Sequence, residues 1–341
     1  MASVSLSKAE KSFIQTSLQA TPPLRADGRA LLDYRTVLLE TGVASQANGS
    51  AKLNVGKAPL EGGGGTEVLA ATKLEVEDVE NGDGLDGGRI VCAVTCSPSA
   101  YPHLSSNALD EVQYDLTMIL HQTISHQTLH PKNLGILPKK KSWLLNLDVV
   151  VFADAGNVLD AIFMAARAAL WDTKVPRTRA IQYQAKKAGS GTGSGDMDVD
   201  SGNEPGHGLS GFDTRDMART AADFELPDYW DEGEVLDGRD RWPVCVTLNV
   251  LPSHHYLDAT TPEEASTPLK LHLAFSFPTD QPCHLQALRL LGPGELQLPQ
   301  LKTLIADGEK YAKELFTALE SKLRDEDLRR NVKARDKFAS R

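Results

Sequence analysis

Residues 143 to 176 constrain this chain more than any other stretch, because they place a strand, a tight turn and a helix in immediate succession. Trp143-Leu-Leu-Asn-Leu-Asp-Val-Val-Val-Phe-Ala153 has Asp148 as its only charge and is rich in residues that favour extended backbone. Asp154-Ala-Gly-Asn157 breaks it with turn-forming residues. Leu159, Ile162, Phe163, Ala166 and Leu170 then recur at helical spacing until Pro176 stops the pattern. The turn leaves the helix N-terminus open, and its unsatisfied N–H groups make it a possible anion site.

The remaining elements follow from similar signals. Ser7 and Glu10 have capping-box spacing before an apolar stripe of Phe13, Ile14 and Leu18, which Pro22-Pro23 ends. Asn48-Gly49, Gly62 to Gly65 and the Gly/Asp/Asn-rich residues 81–88 read as hairpin turns, the last joining strands at 68–76 and 89–95. A helix is expected over 108–127 with Asn107 as its cap, strands over 244–251 and 269–277, and a last helix over 299–323. Ala188-Gly-Ser-Gly-Thr-Gly-Ser-Gly195 and Asp196-Met-Asp-Val-Asp200 are low-complexity and expected to be disordered. The division expected is a helix in 1–24, α+β halves in 25–184 and 221–323, an insertion in 185–220, and a charged tail in 324–341.

Composition narrows the function classes. A net charge of -10 argues against a free-standing nucleic-acid binder. The four cysteines form no zinc-like pair and are expected to be reduced and mostly buried. No stretch is long enough to span a bilayer, so no membrane association is expected. Gly62 to Gly65 lacks the Gly-Lys-Ser/Thr of a P-loop, and His254-His255 offers no third metal ligand at a useful spacing. Asp258 and Glu264 follow a strand and either meet at the mouth of a cleft or sit in a solvated loop. Lys139, Lys140 and Lys141 either touch an RNA backbone or protect a strand edge. The tail from Lys322 carries eight Lys/Arg against four Asp/Glu and suits RNA, a partner or simple solubility.

Several segments, in order, resemble the RNase PH-like subunits of the RNA exosome core. They are Arg25-Ala-Asp-Gly-Arg29, Asn48-Gly-Ser-Ala51, Gly65-Thr-Glu-Val-Leu69, the run from Leu147 through Ala161 to Pro176, Pro243-Val-Cys-Val-Thr247, and Leu257-Asp258 with Glu263-Glu264. The resemblance implies an α+β fold of two halves like the second domain of ribosomal protein S5. It implies a hetero-oligomeric ring with other RNase PH-like subunits, S1/KH-type cap proteins, associated hydrolytic nucleases and RNA in a central channel. It also implies work in the nucleus, nucleolus and cytoplasm, with no cofactor. Active relatives phosphorolyse RNA from its 3′ end and carry Gly-Ser/Thr-Arg where this chain has Gly156-Asn157-Val158. A second arginine-rich segment of theirs corresponds to Cys96-Ser-Pro-Ser-Ala-Tyr101, which has no arginine. Phosphate needs such donors, so Asn157, Val158, Asp258 and Glu264 are expected to be remnants of a lost site and the chain a non-catalytic one.

Overall fold

The computed structural model describes residues 6–56, 64–79, 88–181, 223–227, 233–278 and 282–339. The 185–220 insertion, Gly62, Gly63 and residues 81–87 lie outside them. The elements run α1 (Lys8–Gln19), β1 (Val37–Thr41), β2 (Gly49–Val55), β3 (Thr66–Asp78), β4 (Arg89–Cys96), α2 (Ser106–Ile124), β5 (Gly135–Leu137), β6 (Lys141–Ala153) and α3 (Val158–Asp172). They continue with β7 (Lys174–Val175), β8 (Arg179–Ile181), β9 (Asp223–Glu225), β10 (Glu234–Val235), β11 (Val244–Val250), β12 (His255–Tyr256), α4 (Thr261–Ser266), β13 (Lys270–Ser276), β14 (His284–Leu291) and α5 (Leu298–Ala339).

Two sheets and two helices stack in alternate layers. The first sheet has the order β1-β2-β3-β6-β4 and the second β12-β11-β13-β14. α3 lies between them, packed on β2 and β3 on one side and β11 on the other, and α5 covers the far face of the second sheet. This position explains why α3 is buried all round, Asp160 and Arg167 included. Every residue from Leu159 to Trp171 is buried, whereas the helical spacing alone suggested one buried side. Each large apolar side chain so buried contributes about 1.5–3 kcal/mol.

Strand order corrects the expected hairpin across residues 81–88. β3 and β4 are not neighbours, because β6 lies between them, antiparallel to β3 and parallel to β4. The strongly apolar β6 takes an interior position, hydrogen-bonded on both sides. The cap of α2 is Ser105, whose hydroxyl accepts from the Ala108 amide, and not Asn107. α5 runs without a break past Leu323. Asp327 accepts from the Trp171 indole at 3.0 Å, and Arg330 pairs with Asp172, so the helix beyond 323 is docked on α3.

The free edge of β4 is sealed by side chains of α2. The amides of Cys92, Val94 and Cys96 donate to His121 Nδ1, Thr117 Oγ1 and Gln113 Oε1 at 3.3, 3.0 and 2.8 Å.

Candidate functional site: a charged clasp beside a cleft

The hairpin from β11 into β12 delivers the chain to Asp258, which adopts a left-handed conformation (φ 45°) and is fully buried. Its carboxylate is enclosed by donors. Oδ1 accepts from Arg35 Nη2 at 2.7 Å and Asn157 Nδ2 at 3.1 Å. Oδ2 accepts from Arg29 Nη1 at 2.9 Å and from the Arg35 amide and Nε at 2.7 and 2.9 Å. Arg25 donates to the Asp258 carbonyl at 2.7 Å and makes a two-pronged pair with Glu263 at 2.9 and 2.7 Å. Burial alone raises a carboxyl's pKa, but here Arg35 and Arg29 outweigh it and hold Asp258 below its ordinary value. The result is a clasp that ties residues 25–35 to the second half of the chain.

Six residues on, Glu264 sits in a different setting. α4 starts with a capping box between Thr260 and Glu263, and the turn before α3 packs directly on residues 259–261. Gly156 has φ 98°, and a Cβ there would lie 2.4 Å from the Ala259 carbonyl oxygen, so only glycine fits. Glu264 Oε1 accepts from the Asn157 amide at 2.8 Å, and Asp154 Oδ1 accepts from the Gly156 amide at 2.8 Å. Two amides of the turn into α3 therefore already hold internal carboxylates. Arg35 is close to this turn, but its guanidinium donates to the Ala155 and Gly156 carbonyls and to Asp258, away from the helix N-terminus.

In front of the turn is a cavity of about 360 Å³ bounded by α2, the 100–103 loop, β13 and β14. Val158, Leu159, Leu116 and Ile119 give it an apolar wall. Its lysine and arginine are engaged: Lys270 pairs with Glu264 at 3.1 Å and Arg289 with Asp115 at 3.8 Å. Burial raises the Glu264 pKa, with Lys270 pulling the other way.

Behind it, Thr247 links two buried titratable groups. Its amide and hydroxyl meet Asp160 at 3.1 and 2.6 Å, and its hydroxyl lies 2.8 Å from His272 Nδ1. Burial pushes Asp160 up to about 7 against these hydrogen bonds. Burial, with Lys270 and Arg289 adding to it, lowers His272 to about 3, so the imidazole is neutral.

The structure thus brings Asn157, Val158 and Glu264 to one cleft, with Tyr101 of the arginine-free segment also lining it. Asp258 shares a bond with Asn157 but is withdrawn into the clasp. Lys139, Lys140 and Lys141 belong elsewhere. They form the turn between β5 and β6, with Lys139 at φ 58° and Lys141 against Asp223 at 3.5 Å and the Phe224 ring at 5.6 Å. β6 separates them from Asp154 by roughly 40 Å, at about 3.3 Å per residue. Sequence reasoning gave no role to Arg25, Arg29 and Arg35. The available signal was an acid bound for the interior, which requires counter-charges.

Residues 33–176 match the model of domain 1 of the 3′ exoribonuclease family, RNase PH. A Dictyostelium discoideum protein named for the exosome complex exonuclease RRP42 is 25% identical over 308 residues, 76% of this chain and 81% of its own length. The exosome complex component Rrp42 of Saccharolobus solfataricus is 36% identical over 153 residues, and the chain spans about half of that relative (52%). In fold, the chain resembles a subunit of the Archaeoglobus fulgidus exosome solved with RNA at its active site. That likeness has a TM-score of 0.62, 21% identity and coverage of 90% of this chain and 96% of the other. An archaeal exosome core aligns with a TM-score of 0.61, 20% identity and coverage of 92% and 96%.

Proposed function

We propose that this chain is an RNase PH-like protein of the kind found among exosome subunits, and that it is a structural, non-phosphorolytic member of an exosome ring. The observation behind the second half of that statement is the occupied N-terminus of α3. Phosphorolysis needs inorganic phosphate held beside the 3′ end of RNA, a site that calls for free amides and a forked arginine. Here Glu264 takes the Asn157 amide, Asp154 takes the Gly156 amide, and Val158 stands where active relatives have arginine. The cleft's Lys270 and Arg289 face acids already. An anionic substrate would meet carboxylates at the point where it most needs donors.

On this reading the chain maintains ring geometry beside other RNase PH-like subunits and lines part of a channel for RNA. S1/KH-type caps and hydrolytic nucleases complete the assembly, which works in the nucleus, including the nucleolus, and in the cytoplasm. Two measurements test it. Mixed with 3′-hydroxyl RNA and inorganic phosphate, the pure chain should release no nucleoside diphosphate above background. Release that grows with phosphate and disappears in Glu264→Gln would overturn the non-catalytic assignment. Co-expressed with RNase PH-like exosome subunits, the chain should elute as a hetero-oligomer. A monomer with every one of them would overturn the ring assignment.

A further inference from the structure

Lys270 and His272 are two residues apart on β13 and therefore lie on one side of the strand. The register sets Arg289 of β14 directly opposite His272. All three line the cavity of about 360 Å³ in front of α3, a volume in the range of small-molecule sites, about 300–1,000 Å³.

His272 is only 5% exposed, and its two ring nitrogens are in different situations. Nδ1 lies 2.8 Å from the Thr247 hydroxyl, which donates its single hydrogen to Asp160 Oδ1 at 2.6 Å. A hydroxyl that has given up its hydrogen can only accept, so with Asp160 ionised the imidazole proton sits on Nδ1. Nε2 is then a bare lone pair, buried and without a hydrogen-bond partner among the described residues. A buried acceptor with no donor is costly. With Nδ1 turned to Thr247, Nε2 is the atom the ring has left to offer the cavity.

The surrounding charges decide what could supply the missing donor. Asp154 and Glu264 border the cavity, so an anion there meets two carboxylates. A cation at Nε2 is opposed by Lys270 and Arg289 beside the ring, the same charges that join burial in keeping the imidazole unprotonated. Val158, Leu159, Leu116 and Ile119 supply an apolar wall. We propose that the cleft binds an uncharged molecule with an apolar body and an N–H or O–H group that donates to His272 Nε2, a role that does not depend on ring membership. Such a ligand satisfies the buried acceptor and covers the apolar wall in one step.

Indole and 1-methylindole test this on the full chain, because they share a body and differ in the N–H donor. At about pH 8.5, above the Asp160 range near 7, calorimetry should show indole binding about tenfold more tightly, the effect of roughly one buried hydrogen bond. His272→Phe should erase that preference. In the wild type, the His272 Nε2 nitrogen resonance should shift with indole and not with 1-methylindole, a readout that stands even if the variant fails to fold. Equal affinity for the two, no binding of either, or an Nε2 resonance unmoved by indole disproves the donor site and leaves the non-phosphorolytic reading intact. Displacement of indole by inorganic phosphate would overturn both together.

Discussion

Asp258 and Glu264 are six residues apart and flank the start of one short helix, but the structure uses them in opposite ways. Asp258 is enclosed by Arg29, Arg35 and Asn157 and has no exposed surface. Glu264 is partly exposed, faces a cavity and shares its charge between one amide and one lysine. A carboxylate with five donors is a fastening. One with a spare side toward a cleft takes up the helix-start amide that faces it. Residue type and spacing are the same kind of signal for both, and only the surrounding donors separate the roles.

The comparison can be broken most strongly at the clasp. Asp258→Ala removes a fully buried carboxylate from two partly buried arginines, Arg29 and Arg35, and breaking a buried pair typically costs about 3–5 kcal/mol. Chemical denaturation should show a loss of that size, and a loss under 1 kcal/mol would mean that the arginines find other partners. Gly156→Ala strikes the joint between clasp and cleft, where a side chain meets the Ala259 carbonyl at a left-handed backbone position. About 2–3 kcal/mol should be lost there, read in the same way.

The cleft side should respond to pH before it responds to stability. His272 is depressed to about 3 when folded, so the unfolded chain takes up its proton first. Its contribution is complete above 6.5 and disappears as pH falls towards 3. Asp160 is raised to about 7, so its contribution has the opposite sign and is lost as pH rises from about 4 to 7. Stability measured across this range should fall less steeply with acid in His272→Gln and more steeply in Asp160→Asn. Identical profiles for all three proteins would show that neither group is shifted. The smallest effect is expected far from both regions. Lys139→Ala should change stability by no more than about 0.5 kcal/mol, as an exposed turn residue, and a larger loss would give the lysine turn a structural role it lacks here.

The sequence made the spine of this fold legible because β6 and α3 carry strong, uninterrupted periodicity. The order of strands was less accessible, since a Gly-rich link between β3 and β4 reads as a hairpin whether or not another strand later inserts between them. At the site, the turn and helix start at Asn157 and Val158 were legible in local sequence, whereas their grouping with Glu264 came from the family resemblance alone. The clasp was not foreseeable in the same way. Arg25, Arg29 and Arg35 reach Asp258 over more than 220 positions, and nothing in local spacing encodes a contact of that range.

The seal between α2 and β4 depends on a coincidence of two repeats. Four helical residues advance about 6.0 Å and two strand residues about 6.6 Å, so Gln113, Thr117 and His121 stay in step with Cys96, Val94 and Cys92. The two elements are commensurate for about two periods, like a vernier scale that has not yet drifted. Deleting one residue between Gln113 and His121 would rotate one end of the acceptor row by about 100° and unlock part of the edge. α2 therefore tolerates substitution at its surface far better than any change in length.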